Sequence, residues 1–108
     1  MLLIQDLQKQ IAELIQENQK GTNALFEAER ALAEAEYELD TVEQKAFIKS
    51  QGTVADRTAL SRLEAADARL ARDLRKAELN RIKTKIKGIE TALMALGTQV
   101  KLMGVEGR

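Results

Sequence analysis

The sequence predicts an all-α protein: a long antiparallel two-helix hairpin of coiled-coil character that assembles into a dimeric four-helix bundle or a higher oligomer. Three observations predict it. The alphabet is rich in helix formers and has no proline, apolar residues keep a heptad spacing through the first half, and one turn signal lies near the middle.

A chain of 108 residues makes one domain. Within it the first helix is expected over about 2–49, the bend over 50–53, the second helix over about 54–103, and a fraying glycine-containing tail over 104–108. Ala, Leu, Glu, Lys, Gln and Arg dominate, and Tyr37, Phe26 and Phe47 are the aromatic residues, so a core built on aromatics is not expected.

In the first helix the a-like positions are Ile4, Ile11, Asn18, Leu25, Leu32, Leu39 and Ala46, and the d-like positions are Leu7, Leu14, Gly21, Ala28, Ala35 and Val42. A seam kept in phase this long specifies a packed helical face. Asn18 and Gly21 are its weak point, because glycine costs roughly 1 kcal/mol against alanine inside a helix. The sequence allows a kink near Gly21, with Thr22 or Asn23 available to recap the chain.

The bend reads from "SQGT". Gly52 can adopt the left-handed conformation that closes a helix, Thr53 can cap the next one, and Asp56 falls where a capping box needs its carboxylate. In the second helix the apolar row is Leu60, Leu63, Asp67, Leu70, Leu74 and Ala77, resuming as Leu79, Ile82, Ile86, Ile89, Leu93, Leu96, Val100 and Met103. A phase slip is expected between Leu74 and Ile82, and Asp67 is expected on the seam, paired with Arg30 or another subunit's arginine. The alternative is a slight rotation that turns Ala66 inward. Gly97 is read as a place of close helix approach.

The charges cancel overall but not locally. Residues 1–50 carry ten acids against five bases, and residues 51–108 carry seven acids against twelve bases. Folding at the bend then sets Asp40 near Arg62, Glu34 near Arg69, Glu27 near Lys76 or Arg75, and Glu17 near Lys85. Exposed pairs of this kind set register more than stability. Apolar residues left outside the seam, among them Leu3, Ile15, Phe26, Phe47, Met94 and Leu102, are the candidate interface of a homo-oligomer.

The sequence contains no His and no Cys, which removes the usual general base, thiol nucleophile and transition-metal ligands. No glycine-rich phosphate loop is present, and carboxylates two apart in "EAEYELD" point to different helix faces. A non-enzymatic protein is expected, with no catalytic residue, no metal, no cofactor and no small-molecule substrate. No apolar run approaches the ~20 residues that span a bilayer, so the expectation is a soluble, cytoplasmic protein without a membrane partner.

The residues with most functional content are basic. Arg72, Arg75, Lys76, Arg81, Lys83, Lys85 and Lys87 cluster on the second helix, four of them within "RIKTKIK". Such a cluster can track a phosphate backbone without sequence preference or meet an acidic protein, and its competing role is a salt-bridge ladder. No aromatics are interleaved to stack bases.

Residues 45–78, "KAFIKSQGTVADRTALSRLEAADARLARDLRKAE", resemble small helical proteins encoded by bacteriophages and prophages. The resemblance rests on the bend, Thr53, Val54, Ala55, Asp56 and Arg57, and on Ala65, Asp67, Arg69, Leu70, Ala71, Arg72 and Asp73. Gln51 stands where glutamate is common in that group. The resemblance implies a bacterial host cell and a setting beside DNA replication or recombination functions, and it assigns no catalytic residue. A coiled-coil adaptor or inhibitor that binds a host or phage protein without touching nucleic acid is the alternative function.

Overall fold

The computed structural model describes residues 4–106, which form three helices: α1 Ile4–Lys49, α2 Val54–Glu64 and α3 Ala66–Glu106. The architecture is all-α. Leu3 lies outside the described residues, as do residues 107 and 108 of the tail. Residue 104, where fraying was expected to begin, is still inside α3.

The inward face of α1 is the heptad seam read from the sequence. Leu7, Ala28, Leu39 and Ala46 are buried, the other seam positions are half-buried, and Ile4 at the first turn is exposed. Gly21 does not interrupt the helix. Its missing side chain makes room for a neighbour, since a Cβ there would sit 3.0 Å from Ile86 Cγ1. The Thr22 hydroxyl donates to the Asn18 carbonyl at 3.0 Å and so stays within the helix instead of capping a new one.

The bend accounts for its own polar groups. At the end of α1, the Ala46 carbonyl accepts from the Ser50 amide at 3.0 Å and the Ser50 hydroxyl at 2.6 Å. Gly52 has φ 115°, a conformation that a side chain would strain. Thr53 then caps α2: the Asp56 amide donates to Thr53 Oγ1 at 3.1 Å, and the Thr53 amide donates to Asp56 Oδ2 at 3.4 Å, completing the capping box.

The single helix expected over 54–103 is two helices, separated at Ala65 (φ −89°, ψ 6°). Hydrogen bonds from Ala65 N–H to Ser61 and from Arg69 N–H to Ala65 keep the helical ladder on both sides. The inward face therefore passes through the interruption.

Two compact units form, one from the residues up to Leu25 together with those from Arg81 onward, the other from Phe26–Asn80. In the first, Leu7 and Ile89 are buried, Leu7 lines an open pocket with Gln99, Leu102 and Met103, and Gly21 meets Ile86. In the second, Ala28, Leu39 and Ala46 of α1 are buried together with Ser61, Ala65 and Leu79.

The second unit corrects the sequence reading of α2 and α3. Leu60, Leu63, Asp67, Leu70, Leu74 and Ala77 are all exposed; Ser61 and Ala65 are buried, and Ala68, Arg69 and Arg72 are half-buried. The cause lies at the bend. Arg57 Nε and Nη2 both donate to the Phe47 carbonyl, at 3.1 and 2.9 Å, and the guanidinium carbon lies 4.2 Å from the Phe47 ring centroid. Residues 57, 61, 65, 68 and 72 follow one another at helical spacing, so holding Arg57 against α1 turns that row inward.

This choice of row removes the expected phase slip. From Ser61 the positions 65, 68, 72, 75, 79, 82, 86, 89, 93, 96, 100 and 103 alternate steps of four and three, and all but the exposed Arg75 are buried or half-buried. Asp67 is exposed, so its carboxylate needs no buried partner, and Ala66 is exposed as well. Nothing lies within 4 Å of a Cβ built at Gly97, which therefore makes no close helix approach.

Candidate nucleic-acid interface

The basic residues divide between the two units. In the second, Arg72 is half-buried and its Nε donates to Asp73 Oδ1 at 2.7 Å, while Arg75 and Lys76 are exposed. Arg69 also turns inward here, with Nη2 donating to Glu43 Oε1 at 3.1 Å in place of the expected Glu34. Glu27 pairs along its own helix with Arg30 at 2.7 Å, not with Lys76 or Arg75. The first half of the basic row is thus partly consumed in structure.

In the first unit, Arg81, Lys83, Lys85 and Lys87 are all exposed, and none enters the ion pairs Glu27–Arg30, Glu43–Arg69 or Arg72–Asp73. The expected pair of Glu17 with Lys85 is not among these. The inward residues Ile82, Ile86 and Ile89 hold this stretch of α3 against its unit. Helical spacing puts Lys83 and Lys87 on one side of that seam and Arg81 and Lys85 on the other. Cations on both flanks of an anchored helix can meet phosphates from a broad, shallow surface, where long flexible stems adjust to an irregular ligand.

The described candidate interface residues fall in both units. Ile15, Met94 and Leu102 are exposed in the first unit, and Phe26 is exposed in the second. Phe47 is engaged within the chain by Arg57. The sequence reading missed that Phe26, Tyr37 and Ile48 recur every eleven residues on α1, all exposed, which places them along one helix face. It also missed the leucine row of α2 and α3 as an outer surface.

Among the described residues no group of three acidic side chains is placed to hold a metal ion, and no helix is long and apolar enough to cross a membrane. The chain matches no family model, no curated protein and no solved structure.

Proposed function

We propose that this chain is a non-enzymatic, self-associating helical hairpin whose third helix binds the phosphate backbone of nucleic acid without sequence preference. The observation that carries the reading is the group Arg81, Lys83, Lys85 and Lys87, exposed and outside the ion pairs described above. The absence of His and Cys from the sequence supports a binding role over catalysis. Contacts of α1 with later helices support the hairpin: Phe47 with Arg57 and Glu43 with Arg69 in one unit, and Gly21 with Ile86 in the other. The resemblance around the bend supports an accessory role beside phage DNA replication or recombination.

The test is retention of labelled single- and double-stranded DNA by the purified chain, compared with Lys83→Glu/Lys85→Glu/Lys87→Glu. The reading expects retention at low salt, its loss in the variant, and unchanged helicity and mass. Absence of retention by the unaltered chain at low salt would refute it and leave the cations to an acidic protein surface.

A further inference from the structure

The four leucines of the outer row are 44% (Leu60), 72% (Leu63), 59% (Leu70) and 62% (Leu74) exposed. With Asp67 and Ala77 they step by three, four, three, four and three, the spacing of a coiled-coil seam. The face turned toward α1 carries Ser61, Ala65, Ala68, Arg69 and Arg72 instead. Turning the helix by one residue would exchange these rows, and the Arg57 contact to Phe47 opposes that turn. The fold thus holds a leucine seam outward while a row containing two arginines faces inward.

Resting on the reading that the chain self-associates, we infer that this row is the self-association surface, and that a second copy docks on it antiparallel. The row's spacing reads the same in both directions, so reversal sets Leu63 against Leu74 of the second copy, Leu60 against Ala77, and Asp67 beside Leu70. On the flanks, Ala66 comes opposite Asp73 of the second copy and Glu64 opposite Ala71, so these carboxylates face small neutral side chains. A parallel, in-register pair instead sets Asp67 against Asp67 and brings Asp73 toward Glu78, which like-charge repulsion disfavours. The row is about 26 Å long at 1.5 Å per residue. Covering its leucines on both copies removes about 800 Å² from water, and the flanking side chains covered with them bring the interface to the ~1,000 Å² that a specific interface needs.

The experiment has two arms on the full chain. Light scattering is measured for the unaltered chain and for Leu63→Gln/Leu74→Gln; both leucines are exposed in the single chain, so helicity is retained. The expected result is a dimer that the substitutions weaken about 100-fold or more, appearing as monomer at micromolar concentration. In the second arm Ala66→Cys/Asp73→Cys is oxidised in this otherwise cysteine-free chain. Seven residues apart on one helix, the two thiols are too far from each other to bond within a copy. The expected product is a covalent dimer, with none from Ala66→Cys alone. A dimer that survives the leucine substitutions, or one that does not cross-link, overturns this surface and leaves self-association standing. A monomeric unaltered chain overturns both.

Discussion

Arg57 joins Phe47 twice, through two N–H donors on its carbonyl and through a guanidinium carbon 4.2 Å from its ring centroid. The Phe47 carbonyl belongs to the last turn of α1, where helical partners run out, so the guanidinium supplies what the backbone cannot. The same contact fixes which face of α2 turns inward. Arg57→Ala is expected to destabilise the protein by about 2 kcal/mol, combining charge-assisted hydrogen bonds with a cation–π contact. Arg57→Lys should restore less than half of that, because lysine lacks the planar fork. Urea denaturation followed by circular dichroism measures both.

The glycines separate three effects. Gly88→Ala should stabilise by roughly 1 kcal/mol, since α3 gains helix propensity and no atom lies within 4 Å of the new Cβ. Gly21→Ala should gain nothing or lose, because its Cβ meets Ile86 Cγ1 at 3.0 Å. Gly52→Ala should destabilise by about 1 kcal/mol or more at φ 115°, with Asp56 Oδ2 also 3.2 Å from the added atom. Thermal unfolding of the three single variants gives the order Gly88→Ala above the unaltered chain and Gly52→Ala below it.

Asn18 interrupts the α1 seam with a buried Oδ1 that has no hydrogen-bond partner in the protein. Such a group costs about 1–3 kcal/mol where it is desolvated without compensation. Asn18→Leu is therefore expected to raise stability by about 1 kcal/mol, read as a higher denaturation midpoint. An unchanged or lower midpoint would show that the asparagine is satisfied in solution or that leucine overfills the site.

The two halves of the chain were not equally legible. On α1 the aliphatic residues, alanines and glycine of the seam form one row, and no other row competes, so periodicity alone placed Leu7, Ala28, Leu39 and Ala46 inward. The bend was legible because Gly52, Thr53 and Asp56 act over four or five residues of chain. On α2 two rows compete, one of leucine and one of small and basic residues, and hydrophobicity chose the wrong one. The deciding contact, Arg57 to Phe47, spans ten residues and runs from a side chain to a main-chain oxygen, which no hydrophobic pattern encodes. The salt-bridge register went wrong with the row: Arg69 found Glu43, and Glu27 was taken by its neighbour Arg30.

The most direct test of the nucleic-acid reading is the salt dependence of DNA affinity for the unaltered chain and for Lys83→Glu/Lys85→Glu/Lys87→Glu. With four exposed cations neutralising phosphates, the logarithm of the association constant should fall with log salt at a slope of about −3 to −4 per bound chain on duplex DNA. The variant should bind too weakly to measure while its helicity and mass are unchanged. Binding that ignores salt, or survives the triple charge reversal, would contradict the assignment of these residues to a phosphate backbone.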